Sequence, residues 1–168
     1  MDHKFIEFLE RKSPFFHSSI HGIRHWKTVE RNGLYLSKFT GADRSVISYF
    51  AYLHDCMRQN DQIDPDHGLR GAKFAQEHRS LIDLDDDQFE KLYFACETHT
   101  EGESTACETI NTCLDADRLD IGRVGFIVDP FYLSSSEAKR IAEEKDFQAL
   151  GSNTVSYTHL TLPTILLV

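Results

Sequence analysis

Apolar residues recur along this chain at the spacing of helices. Lys4 to Glu10 (KFIEFLE) carries them on one face of a short helix that must end before Pro14. A second helix is expected from about Ser19 to Phe39, with Ile23, Trp26, Val29, Leu34 and Leu36 at roughly helical intervals and Gly41 as its stop. Asp43 is placed to cap a third, from Arg44 to about Arg58. That segment is apolar on most sides, through Val46, Ile47, Tyr49, Phe50, Ala51, Tyr52 and Leu53. A helix apolar nearly all round is a central, buried one. It runs into the polar pair His54-Asp55 and then a polar loop, Gln59 to Asp66.

A fourth helix is expected from about Pro65 to Glu77. A fifth starts in the acidic run Asp85-Asp86-Asp87, which suits a helix dipole, and continues to about His99. After a polar loop, a sixth spans about Ala106 to Gly122. Ser134-Ser135-Ser136-Glu137 resembles a capping box and opens a seventh, to about Leu150. The first 150 residues show no convincing strand and no repeat. Gly151 to Val168 differs: it has no Asp, Glu, Lys or Arg and is rich in Thr, Leu and Val. This tail is expected to be non-native or disordered and is set apart from a single domain over 1–150.

The composition fits one globular core: 168 residues, 40% hydrophobic and 27% charged. A net charge of −9 disfavours nucleic acid and anionic membranes as partners, and no segment is long and apolar enough to span a bilayer. No secretory signal opens the chain. Cys56, Cys96, Cys107 and Cys113 form no C-x-x-C pair, so a disulfide framework is not expected and a reducing cytoplasm is the default. No phosphate-binding glycine loop, dinucleotide fingerprint, nucleophile elbow or EF-hand spacing is present.

The informative chemistry is His54-Asp55 at the end of a buried helix. Burying an imidazole and a carboxylate is costly unless each is paired or bound to metal. His25 lies on the second helix, and Asp117 on the sixth, in a string where Asp117 and Asp120 are three apart. Side chains from three helices can converge on a cation between them.

The order His … His-Asp … Asp resembles the HD superfamily of metal-dependent phosphohydrolases. The residues that carry it are His25 in H-W-K-T-V, His54-Asp55 in Y-L-H-D and Asp117 in D-A-D-R-L-D. It covers roughly residues 17 to 125. The resemblance implies an all-α, phosphodiesterase-like helical bundle with a central metal site. The ligands would be His25, His54, Asp55 and Asp117. The metal would be a divalent transition ion (Mn, Co, Ni, Fe or Zn). Relatives with two metals add histidines where this chain has His67, in an H-x-x-x-G-A context, and His99. With them, Asp55 would bridge two ions.

The resemblance further implies hydrolysis of a small phosphomonoester or phosphodiester, nucleotides included, through water activated by the metal. Asp55, Arg58 and Asp120 are the catalytic candidates, with Asp120 a supporting acid or proton carrier. Arg58, His67 and His21 are the substrate-contact candidates. Some relatives carry a catalytic acid three residues after the His-Asp aspartate. This chain has Arg58, so that role does not transfer, and a grip on phosphate is expected instead. His21 is expected on the face of His25, four residues earlier. His3, His17, His78 and His159 are expected at the surface. Two other outcomes share the ligand set: a di-iron oxygenase, and a catalytically inactive, metal-stabilised ligand-binding module.

Overall fold

The computed structural model describes residues 1–151. Seven helices follow one another: α1 (His3–Lys12), α2 (Ile23–Thr40), α3 (Arg44–Leu53), α4 (His67–Glu77), α5 (Asp86–Thr98), α6 (Glu108–Arg118) and α7 (Ser136–Glu144). Short 3-10 turns occur at Arg79–Leu81, Ile121–Val124, Pro130–Tyr132 and Phe147–Leu150. Among the described residues there is no strand. Nor is any helix among them long and apolar enough to cross a membrane. Apart from Gly151, the tail expectation falls on residues 152–168, outside the described residues.

The nearly all-apolar α3 is the central helix, packed on α2, α4, α5 and α6. Its Val46, Ile47, Phe50 and Leu53 are fully buried beside Trp26 and Val29 of α2, Leu92 of α5 and Leu114 of α6. Asp43 caps it as expected, accepting from the Ser45 and Val46 amides. The other Asp43 oxygen accepts from the Gln88 side chain at 2.7 Å, tying the starts of α3 and α5 together.

Several helix boundaries differ from the sequence expectation; α6 ends at Arg118, not Gly122, and those of α2, α3 and α7 have local reasons. The second helix starts at Ile23, not Ser19. The Ser18 hydroxyl accepts from the Ile20 and His21 amides and closes a turn, and Gly22 is an extended N-cap. His21 therefore sits in that turn and not on α2. The third helix stops at Leu53, not Arg58. Beyond it the backbone tightens to i→i+3 bonds, from the Cys56 amide to Leu53 and from the Arg58 amide to Asp55. At the other end of the domain, α7 starts from Ser135, whose hydroxyl accepts from the Ala138 amide. Glu137 is thus one position short of a capping box; it accepts instead from Tyr35 and Arg140. The helix ends at Lys145, in the left-handed region at φ 56°, short of Leu150.

Two close approaches set the place of α4. A Cβ on Gly71 would collide with the Leu53 carbonyl oxygen and lie 3.0 Å from that of His54. A Cβ on Gly68 would collide with the Cys96 carbonyl oxygen and lie 3.0 Å from His99 Nδ1. Only glycine lets the start of α4 press between the ends of α3 and α5. A second apolar cluster, with Leu36, Leu119, Leu133 and Ile141, joins α7 to α2. The buried Asp115 anchors it, accepting from the Ser134 amide at 2.7 Å, the Ser135 amide at 2.8 Å and the Ser135 hydroxyl at 2.7 Å.

Candidate metal centre

The end of α3, one turn of α2 and the end of α6 bring four side chains together. His25 Nε2 lies 3.1 Å from His54 Nε2, 3.2 Å from Asp117 Oδ1 and 3.7 Å from Asp55 Oδ2. His54 Nε2 is 3.7 Å from both Asp55 Oδ2 and Asp117 Oδ1. Donors with bonds of about 2.1 Å to one four- to six-coordinate ion stand at about these separations. His25, His54 and Asp55 are all buried.

The tautomers follow from the outer partners. His54 Nδ1 faces the carbonyl oxygens of Phe50 (3.2 Å) and Ala51 (3.1 Å), which can only accept. His25 Nδ1 faces Asp120 Oδ2 at 2.7 Å. His99 Nδ1 faces the Cys96 carbonyl at 2.8 Å, and His67 Nδ1 that of Asp64. Each Nδ1 therefore carries a proton and donates it outward, which leaves four Nε2 lone pairs turned inward. Lone pairs facing at 3.1 Å, and at 2.8 Å between His67 and His99, repel unless a proton or a cation lies between them. A donor set oriented in this way fits a divalent transition metal.

The titrations have the same origin. Burial pushes His54 down to about 3, so it stays neutral. Burial also pushes His25 down, but hydrogen bonds to Asp117 and Asp120 outweigh it and hold His25 above 6.5. His99 is likewise held above 6.5, by Asp55 against its burial. Burial would raise Asp55 and Asp117. The surrounding histidines win, and both carboxylates are held below their usual range.

A second donor group shares Asp55. Its Oδ1 lies 3.0 Å from His67 Nε2 and 3.7 Å from His99 Nε2. His99 also stands near His54 and Asp117, so the two groups are contiguous. Arg58 enters this second group. It is buried, with Nη1 3.4 Å from Asp55 Oδ1 and 3.1 Å from His67 Nε2. Its Nε donates to the Asn60 carbonyl and its Nη2 to that of Gln62. The neighbouring acids are engaged elsewhere: Asp61 accepts from Ser18, and Asp64 pairs with Arg70.

On the outer side, the Asp117 and Asp120 side chains are 20% and 18% exposed, and that of His21 13%. Although off α2, His21 still reaches the centre, with Nδ1 3.0 Å from Asp55 Oδ2. Arg123 completes this rim. Its Nη2 lies 3.3 Å from His21 Nδ1, and its Nε and Nη1 donate to the Ile20 and Asp120 carbonyls. The sequence expectation missed Arg123, since its 3-10 turn shows no periodicity; its place three residues after Asp120 was the available signal. His3 and His17 are exposed, as expected. His78 is half-buried instead, between the rings of Phe8 and Phe74. His159 lies outside the described residues. The four cysteines are free thiols.

This arrangement of helices has a known counterpart. The chain is similar to the crystal structure, at 1.45 Å, of a predicted HD superfamily hydrolase from an uncultured Thermotogales bacterium, with a TM-score of 0.67 and 21% identity over 88% of this chain and 86% of that one. The chain has the HD-domain fold. Within that fold, the grouped His and Asp side chains lie where three helix ends meet. No family model and no curated protein matches the sequence.

Proposed function

We propose that this HD-fold protein is a metal-dependent phosphohydrolase acting on a small phosphomonoester or phosphodiester, nucleotides included. The observation that carries the reading is the inward set of Nε2 lone pairs around Asp55, each fixed by an outward Nδ1–H bond. His25, His54, Asp55 and Asp117 would hold the cation. When bound, a divalent transition metal supplies Lewis acidity and lowers the pKa of water.

The protein's own groups do the rest. Asp120 holds His25 in its ligating tautomer and is exposed enough to pass a proton to solvent. The rim of His21 and Arg123 offers donors to a phosphate approaching past Asp117. The buried, partnered Arg58 adds fixed positive charge behind Asp55. The free thiols support a reducing, cytoplasmic setting.

The test is elemental analysis of protein purified without chelator, beside Asp55→Ala, with p-nitrophenyl phosphate and its bis-ester as probes. Bound transition metal and hydrolysis in the parent, both lost in the variant, are expected. Full metal and activity in Asp55→Ala would overturn the reading. A second reading, a di-iron oxygenase, has one observation in its favour: the two Asp55 oxygens face different donor groups. Dioxygen uptake after anaerobic iron loading separates the two chemistries. A ligand-binding module would show stabilisation by phosphorylated compounds without turnover.

A further inference from the structure

We infer that the Arg58 guanidinium takes the place of a second cation and limits this centre to one metal ion. The inference rests on the metal-centre reading above. Asp55, His67 and His99 offer three donor atoms on the far side of Asp55 from His25. By ligand type alone that group would take an ion of its own. Arg58 Nη1 already lies against two of the three, 3.4 Å from Asp55 Oδ1 and 3.1 Å from His67 Nε2. It donates to the Asp55 oxygen that a second ion would need as a ligand and sets its charge beside the His67 ligand atom. Against His67 it lies over the ring, 3.3 Å from Nδ1 and 3.1 Å from Nε2, so its charge faces the imidazole whichever nitrogen carries the proton.

Two properties make this occupancy persistent. A guanidinium does not lose its proton at any ordinary pH, so its charge cannot be shed to admit a metal, as that of a lysine or histidine could. The side chain is also held in place. Nε is 3.3 Å from the Asn60 oxygen and Nη2 2.9 Å from the Gln62 oxygen, so withdrawing it would strip both carbonyls of a partner. Paired ions in two-metal centres stand about 3.5–4 Å apart. A second ion at that distance would be pressed against the guanidinium, a like-charge contact in a poorly screened interior. His67 and His99 then serve the guanidinium and Asp55, while the single ion is left to His25, His54, Asp55 and Asp117.

The test counts metal rather than turnover. Manganese(II) is titrated into the metal-free full chain, and free ion is followed by electron paramagnetic resonance. One equivalent is expected to bind the parent, with the signal of isolated ions. Arg58→Glu replaces the cation with a carboxylate ligand and is expected to bind two, giving the broadened signal of a coupled pair. Its second-site affinity should be about 100-fold or more above that of the parent. Arg58→Gln removes the charge without adding a carboxylate, and it too is expected to bind two. Where Arg58→Glu does not fold by circular dichroism, the count on Arg58→Gln decides alone. Two ions in the parent, or one in each folded variant, would overturn the inference. No binding by the parent or either variant would instead overturn the metal-centre reading beneath it.

Discussion

Nδ1 of His25, on α2, lies 2.7 Å from Oδ2 of Asp120, in the turn after α6. The two are 95 positions apart in the chain, yet this contact decides which nitrogen of His25 faces the centre. Without Asp120 the imidazole can rotate or change tautomer, and the ligand set loses a member part of the time. Asp120→Ala is therefore expected to weaken metal binding by about 10–100-fold, and Asp120→Asn, which keeps an acceptor oxygen, by less. Calorimetric titration with zinc or manganese measures this. Equal affinity in the parent and in Asp120→Ala would show that His25 is oriented by other means.

Metal affinity should rise with pH through neutrality. In the metal-free protein His25 and His99 are held above 6.5, their carboxylate partners outweighing burial. A cation must displace the proton of His25, a ligand, so binding strengthens as pH climbs above the ordinary imidazole range and releases that proton into the buffer. Titrations in two buffers of different ionisation enthalpy count the protons. A pH-independent affinity would sink this account.

The metal-free protein should lose stability on acidification. His54 is pushed by burial from 6.5 to about 3 in the fold. Its contribution is complete above 6.5 and is lost as pH falls toward 3, because the unfolded chain takes up the proton first. The raised values of His25 and His99 have the opposite sign: their contribution is complete below 6.5 and fades as pH rises. Asp55 and Asp117, held low, reinforce the acid side. Urea midpoints of the chelated protein should therefore peak between the two limbs. In His54→Gln the acid limb should be shallower, and an unchanged acid limb would contradict the assignment.

Gly71→Ala should destabilise the fold even though alanine is the better helix former. The added methyl meets the Leu53 and His54 carbonyls, which belong to backbone that cannot step aside. A cost of about 1–3 kcal/mol is expected from such overpacking. Chemical denaturation measures it. Because α4 carries His67, the same substitution should also disturb the Arg58–His67 contact. A stability equal to or above that of the parent would show that α4 has room to shift.

Asp115→Ala separates stability from chemistry. The buried carboxylate satisfies three donors at the start of α7, away from the ligands. Its loss leaves them unpaired, at an expected cost of about 2–4 kcal/mol, with metal stoichiometry unchanged. Loss of metal in a folded Asp115→Ala would mean that the α7 cluster supports the centre as well.

The sequence was informative where a strong pattern and a local cause agree. Val46 to Leu53, apolar on most sides, marked the central helix, and Asp43 its cap. His25, His54, Asp55 and Asp117 could be picked out because each sits in a short distinctive string, and the structure brings all four within reach of one another. Helix ends were harder to read, because side chains decide them. The Ser18 hydroxyl and Gly22 delay α2, and the His54 imidazole takes the Ala51 carbonyl, which would have accepted the next helical bond of α3. The setting of Arg58 was not legible at all. Its carbonyl partners, Asn60 and Gln62, lie in a loop whose path no periodicity encodes.

Three of the inward-facing imidazoles stand where helices are weakest. His54 follows the last residue of α3, His67 is the first residue of α4, and His99 follows the last residue of α5. Helix ends fray first, and their amides normally exchange with solvent long before the helix centres do. A cation held through His54 and Asp55 would reverse that order at the end of α3, and the contacts of His67 and His99 with Asp55 would carry the effect to the other two ends, since opening either one disturbs a ligand of the ion. In hydrogen exchange, the segments around residues 54, 67 and 99 should be among the quickest to exchange after chelation and as slow as the core once loaded. Local fraying and metal release would then be one equilibrium, observed by two methods.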